Sequence, residues 1–135
     1  MILIADDMTG MLDTAVQFAK AGIPTTAYPG KTDLEELKHC QASVIAVTTE
    51  SRNASKEEAY QRVRDITEKA KAAGIQTVFK KTDSVLRGHL GADFEAILDA
   101  MQTKKLLFFP AYPAMERTTR NGIQYVNRVP VAESG

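Results

Sequence analysis

The sequence holds a single cysteine, Cys40, in 135 residues. That excludes an internal disulfide framework and fits a reducing compartment. Cys40 falls at the end of an expected short helix and reads as a structural residue. Net charge is lacking too, because 17 Lys and Arg balance 17 Asp and Glu. Basic residues never run longer than two, which argues against a nucleic-acid footprint or a membrane-surface role. No apolar run approaches a membrane span, and Met1-Ile2-Leu3-Ile4 leads into two aspartates rather than a signal peptide. The expectation is a cytoplasmic protein with no nucleic-acid and no membrane partner.

Familiar catalytic patterns are missing as well. There is no G-x-x-x-x-G-K-[ST] phosphate loop and no G-x-G-x-x-G fingerprint. An acidic pair after a first strand is a receiver-domain feature, but that fold needs a phosphate-accepting Asp after strand three. Here the turn is Thr48-Thr49-Glu50-Ser51. A haloacid-dehalogenase-type phosphatase needs two aspartates one residue apart, and Asp6 and Asp7 are adjacent. His39 and His89 lie far apart without cysteine partners, so no metal site is expected. No nucleophile–base pair declares itself, and no exposed apolar stripe marks an interaction domain.

What is present is alternation. Short apolar runs at Ile2–Ala5, Thr25–Tyr28, Ser43–Val47, Gln76–Lys80 and Lys105–Phe109 read as five strands. Between them lie helical patterns. Leu12, Ala15, Val16 and Ala19 share one face of a helix over about 10–21, ended by Gly22 with Pro24 beyond. A short helix over 33–39 carries Leu34 and Leu37. Ser55 and Glu58 form a capping box for a long helix to Ala73, stopped by Gly74. Phe94, Ile97, Leu98 and Met101 mark the last helix. The fold class is α/β: a doubly wound, mostly parallel sheet of about five strands with helices on both faces. Residues 110–122 read as one long loop. Ile123–Val126 and Val129–Val131 read as a C-terminal hairpin turning at Asn127-Arg128.

Polar turns follow the strands. Asp6-Asp7-Met8-Thr9-Gly10 carries adjacent carboxylates, able to hold a metal, take a proton from a hydroxyl, or cap the helix. Lys80-Lys81-Thr82-Asp83-Ser84-Val85-Leu86-Arg87-Gly88-His89-Leu90-Gly91 carries cations, and the helix start that follows suits an anion. Such turns are ordinary surface features taken singly. Open α/β sheets, however, bind ligands at strand carboxyl ends. One acidic turn and one basic turn, joined by Thr48–Asn53 and Tyr112–Asn121, describe an anion-binding cleft. The residues alone do not specify a reaction.

The blocks I-A-D-D-M-T-G with Asp13, T-T-E-S-R ending at Arg52, K-T-D-S-V-L-R-G from Lys81 to Gly88, and P-A-Y-P through Arg117-Thr118-Thr119 resemble the four-carbon acid sugar kinase family. The likeness runs in order along essentially the whole chain. It implies one α/β domain over 1–135, similar to the N-terminal sugar-acid-binding domain of a two-domain kinase. The C-terminal nucleotide domain, with ATP and Mg as cofactors, is expected to be missing here. The function implied is the substrate-binding part of an ATP-dependent kinase that phosphorylates threonate, erythronate or 3-oxo-tetronate at O4. The alternative is a stand-alone or inactive small-acid-binding module. By this resemblance Asp7, then Asp6, are the catalytic candidates. The substrate-binding candidates are Thr9, Arg52, Lys81, Asp83, Ser84, Arg87, Gly88, Tyr112, Arg117 and Thr118. Expected partners are the four-carbon acid, the missing nucleotide domain and further copies in a homo-oligomer. Glu116 and Arg128 stand where that family usually has Gly.

Overall fold

A computed structural model describes residues 1–134; Gly135 and the Leu34 side chain, read above as chain end and apolar helix face, lie outside the described residues. Four parallel strands form the main sheet: β1 (Ile2–Ala5), β2 (Thr25–Tyr28), β3 (Val44–Thr48) and β4 (Val78–Lys81), in the order β2-β3-β1-β4. They alternate with helices α1 (Met8–Lys20), α2 (Leu34–His39), α3 (Lys56–Ala72) and α4 (Leu90–Met101). β1 and most of β3 are buried on both faces, which is why they read as continuous apolar runs. One face packs Leu3, Ala5, Val44 and Ala46 against Met11 and Ala15 of α1. The other packs Ile2, Ile4, Ile45 and Val47 against Leu37 of α2 and Ile66 and Ala70 of α3. Helices thus cover both faces, as the class requires.

The helix boundaries follow their caps. Asp7 caps α1, and capping boxes at Ser55–Glu58 and Asp33–Glu36 start α3 and α2. Gly22 and Gly74 adopt the positive φ that ends α1 and α3.

Two expectations are corrected. No fifth strand forms over 105–109. The run makes no backbone ladder, and Leu107 and Phe109 are 84% and 82% exposed. Its attachment is by side chain instead, with Phe108 packed edge-on against Phe94 of α4 at 5.0 Å. A strand needs a partner edge as well as the right composition. This exposed pair, with half-exposed Phe79 on β4, also replaces the expected absence of an apolar stripe. The second correction concerns the 110–122 loop. A 3-10 turn over Pro113–Met115 leads into β5 (Arg117–Arg120), which pairs antiparallel with β6 (Ile123–Val126), itself paired with β7 (Val129–Pro130). Loop-like composition gave way here to a tight turn at Asn121-Gly122, where both residues have positive φ.

The hairpin at Asn127-Arg128 forms as read. Glu116 and Arg128 both have left-handed backbones, with φ of 55° and 70°. These are conformations that glycine adopts without steric cost.

Candidate functional site

Register assembles the site. Ala5 lies level with Thr48 on β3 and with Lys81 on β4. The segments Asp6–Asp7, Thr49–Arg52 and Thr82–Gly88 therefore leave the sheet side by side. α1 carries the chain from β1 toward β2, and α3 carries it from β3 toward β4, in opposite senses along the sheet. The crevice between the ends of β1 and β3 is the topological switch point.

The turn after β3 is tied to β1. The Thr49 amide donates to the Ala5 carbonyl at 2.9 Å, and the Ser51 and Arg52 amides donate to that of Asp6 at 3.0 and 3.3 Å. Glu50 is left-handed at φ 47°. Arg62 of α3 holds it by donating to its carbonyl at 2.7 Å.

This tie delivers Arg52 into a group of three carboxylates. Its Nε and Nη2 each reach an Asp6 oxygen at 2.9 Å, a two-bond fork, and Nη1 donates to Asp7 Oδ2 at 2.7 Å. Asp83 Oδ1 lies 3.8 Å from Nη2. The hydrogen bonds to Asp6 raise the Arg52 pKa, overcoming its partial burial. The carboxylates converge on a guanidinium, not on a space suited to a cation. Among the described residues no cluster of acidic, His or Cys side chains fits a metal.

Asp7 divides its two oxygens. Oδ1 accepts from the Gly10 amide at 2.9 Å and caps α1, while Oδ2 faces Arg52. A Cβ on Gly10 would fall 2.5 Å from Asp7 Oδ1 and 3.3 Å from Lys81 Nζ. The carboxylate and the ammonium therefore flank one point above the first turn of α1, and glycine keeps it open. Gly88, at φ +93°, plays the same part for Asp6: a Cβ there would fall 3.0 Å from Asp6 Oδ2.

Asp83 organises its own turn. Oδ2 accepts from the Val85 and Arg87 amides at 3.1 and 3.2 Å, and the Arg87 guanidinium grips both oxygens at 3.0 and 2.7 Å. Burial pushes the Asp83 pKa up, but the Arg87 side chain and the two amides outweigh it and hold it at about 2. A carboxylate depressed in the folded state adds stability that is fully present above its ordinary value, 3.8, and lost as pH falls through about 2. Asp83→Asn is therefore expected to flatten the loss of stability between about pH 4 and pH 2, read as urea midpoint against pH. Parallel acid limbs for the two proteins would remove Asp83 from this role.

Lys80 and Lys81 diverge. Lys80 forms an ion pair at 3.0 Å with Asp93 of α4, both side chains nearly fully buried. Burial raises the Asp93 pKa against the pull of Lys80. This pair fastens α4 to β4. Lys81 turns to the cleft, where its ammonium donates to the Thr82 carbonyl at 2.7 Å. Donors therefore remain on Lys81.

Of the residues singled out from sequence, Asp6, Asp7, Arg52, Lys81, Asp83, Arg87 and Gly88 come together. Thr9 is exposed in the first turn of α1, and Ser84 is half-buried in the Asp83 turn. Tyr112, Arg117 and Thr118 belong to the second sheet. Tyr112 bridges Arg117 through the backbone, and the Arg117 side chain donates to the Met115 carbonyl. Among the described residues none of these three hydrogen-bonds to the Arg52 group. α4 begins at Leu90, inside the stretch read as the basic turn but after its cations, and the helix start beside Lys81 is that of α1. Sequence reading missed Gln124, a 5% exposed side chain on β6 that bonds across to the Ser84 carbonyl. Its one signal was a lone polar residue inside the apolar run Ile123–Val126.

The family model described as a sugar-binding N-terminal domain matches residues 1–135. The chain is 41% identical over 135 residues to a D-threonate kinase of Bordetella bronchiseptica, covering 98% of this chain and 33% of that protein. It is 31% identical to a D-erythronate kinase of Heliobacterium modesticaldum, covering 98% and 30%. A crystal structure of a domain of unknown function from Bordetella bronchiseptica, a domain-swapped dimer with bound citrate, superposes with a TM-score of 0.90. Its identity is 40%, over 98% of this chain and 34% of that one. The chain thus spans about a third of the length of the curated relatives it matches. Among the described residues no helix is long and apolar enough to cross a membrane.

Proposed function

We propose a function from one premise: the chain belongs to the family of sugar-binding N-terminal domains. It is the acid-binding domain of a kinase that phosphorylates a four-carbon sugar acid, threonate, erythronate or 3-oxo-tetronate, at O4. The observation that carries this reading is the pairing of Asp7 Oδ2 with Arg52 beside the Lys81 ammonium, at the switch point of the sheet. A sugar acid carries a carboxylate at one end and a hydroxyl at the other. The site offers one group for each.

Lys81 and the amides at the start of α1 grip the carboxylate. Arg52 already holds two carboxylates, and Arg87 holds Asp83 with Nε and Nη2, leaving Nη1 for a single contact with the acid. Asp83 and Ser84 orient the middle hydroxyls, with Thr9 and Gly88 at the rim. Asp7 accepts the proton of the terminal hydroxyl. Asp6 is deeper, with both oxygens engaged by Arg52, and sets the charge of the pair. Tyr112, Arg117 and Thr118 form the opposite wall, on the small sheet. Phosphoryl transfer is mostly positioning and charge neutralisation, so the domain's task is to aim the hydroxyl. ATP with Mg supplies the phosphoryl group. Both are held by a nucleotide domain outside this chain. The curated relatives are kinases of about three times its length, and one solved neighbour is a domain-swapped dimer with citrate. The kinase names and the bound citrate support an acid ligand, and the swapped dimer supports a homo-oligomer; we place the protein in the cytoplasm.

Isothermal titration of the chain with D-threonate, D-erythronate and, as a control, D-threitol tests this. Either acid is expected to bind and the uncharged polyol not. Lys81→Met is expected to weaken binding about tenfold or more, the scale of one charge-assisted contact. Arg128→Gly, in the hairpin turn, leaves it unchanged. Equal binding of the polyol, or full affinity in Lys81→Met, overturns the assignment of the carboxylate.

A further inference from the structure

We infer that Gln124 is a positioning residue that sets the Asp83 carboxylate from the far side of the Ser84–Val85 peptide, so that this one side chain of the small antiparallel sheet governs acid binding without touching the acid. The inference rests on the proposed function for its link to binding, but not for its geometry.

Gln124 lies on β6, 40 residues from Ser84 in the chain, and its side chain is almost fully buried. A buried primary amide has two N–H donors and one carbonyl to satisfy. Nε2 donates to the Ser84 carbonyl at 3.2 Å and to the Pro110 carbonyl at 3.3 Å, and Oε1 accepts from the Thr119 hydroxyl at 2.6 Å. Carbonyls only accept, so the amide has one workable orientation. It joins three segments: the basic turn, the loop leaving α4, and β5.

The Ser84 carbonyl and the Val85 amide belong to one planar peptide unit. Gln124 holds the carbonyl edge and Asp83 Oδ2 holds the N–H edge at 3.1 Å. A peptide gripped on both edges cannot rotate freely about its flanking bonds. The next residue, Leu86, has a left-handed backbone at φ 64°, a conformation costly for a branched side chain unless its neighbours impose it. Releasing the carbonyl edge lets the peptide turn and withdraws the Val85 amide from Asp83. Asp83 then loses a ligand on the oxygen that also holds the Arg87 amide and Nε. Its other oxygen faces Arg52 at 3.8 Å, so the disturbance reaches the Asp6–Asp7 clamp.

Three variants of the 135-residue chain separate positioning from general stability. Gln124→Glu keeps the size and the acceptor for Thr119 but removes both donors. Gln124→Met keeps the length and removes every bond. Thr119→Val removes only the bond on the β5 side. Hydrogen exchange at the Val85 and Arg87 amides is expected to speed up about tenfold in both Gln124 variants, the scale of one lost hydrogen bond, with β1 and β3 amides unchanged. D-threonate affinity, titrated well below the melting temperature, is expected to fall about fivefold to tenfold in the same two variants and to hold in Thr119→Val. Unchanged Val85 and Arg87 exchange in folded Gln124→Glu overturns the inference. So does faster exchange spread evenly over the sheet, or an equal effect from Thr119→Val. Failure of the unmodified chain to bind any acid counts against the proposed function alone, since the exchange measurements still decide the role of Gln124.

Discussion

Under the proposed function, Asp7→Asn is expected to lower kcat by about 10²–10⁴-fold, with KM for the acid changed by less than about tenfold, when the domain is assayed together with a nucleotide domain. The substitution is nearly isosteric. Its carbonyl can still accept from the Gly10 amide, so the cap on α1 persists. What disappears is the proton acceptor on the cleft side, where Oδ2 now sits 2.7 Å from Arg52 Nη1. An amide NH2 facing the guanidinium sets donor against donor, which costs stability, so kcat must be normalised to folded protein. Asp7→Ser supplies the control: serine caps a helix well but leaves no carboxylate over the cleft. Both variants should lose turnover while both keep α1. A kcat within a few-fold of the parent in Asp7→Asn would reduce Asp7 to a helix cap. The burden would not pass easily to Asp6, which is 4% exposed and has both oxygens on Arg52.

The main sheet was legible because its signals are local. Apolar runs covered on both faces, Ser55 with Glu58, and Gly22 and Gly74 each announce themselves within a few residues. The fifth strand failed for the opposite reason. Lys105–Phe109 has strand composition, but ladder formation depends on an edge elsewhere in the chain, and the run is fastened instead through Phe108 on Phe94. The same divide runs through the site. Asp6, Asp7, Arg52, Lys81, Asp83 and Arg87 were all picked out as residue types at strand ends. Their mutual pairing was not, because it is set by the level alignment of Ala5, Thr48 and Lys81 across three strands. Arg52, Lys81 and Arg87 stand in the sequence as three equivalent cationic candidates for the acid. Folded, Arg52 holds Asp6 and Asp7, Arg87 holds Asp83 and keeps Nη1, and Lys81 keeps most of its donors. Gln124 shows in the sequence only as a lone polar residue in an apolar run, since its three partners lie at positions 84, 110 and 119. The positions of Glu116 and Arg128 were the exception. The family resemblance, which implies glycine at both positions, points to two residues that are left-handed in the fold.

Arg52→Ala is expected to destabilise the chain by about 3–5 kcal/mol at neutral pH, the scale for removing one partner of a buried ion pair. The size follows from what is left behind. The Arg52 and Asp6 side chains are 17% and 5% exposed, and Asp83 is as buried as Asp6. Without the guanidinium, Asp6 loses two charge-assisted bonds and Asp7 loses one, and three carboxylates face one another across the gap. Like charges at such range repel, and the cavity is too polar for an apolar side chain to fill well. For a domain of this length the loss corresponds to a fall in melting temperature of about 10–20 °C. Compensation is the sharper test. Asp6→Asn removes one of the stranded charges, so Arg52→Met combined with Asp6→Asn should be more stable than the Arg52→Met single variant by more than about 1 kcal/mol. Lysine at position 52 should recover only part of the loss, because an ammonium cannot present the fork that spans both Asp6 oxygens. Urea denaturation of the four variants beside the parent measures each step. A drop under about 1 kcal/mol for Arg52→Ala, or no gain from adding Asp6→Asn, would mean that the carboxylates are solvated well enough without Arg52. The guanidinium would then be free to turn toward the acid rather than bound to hold the site together.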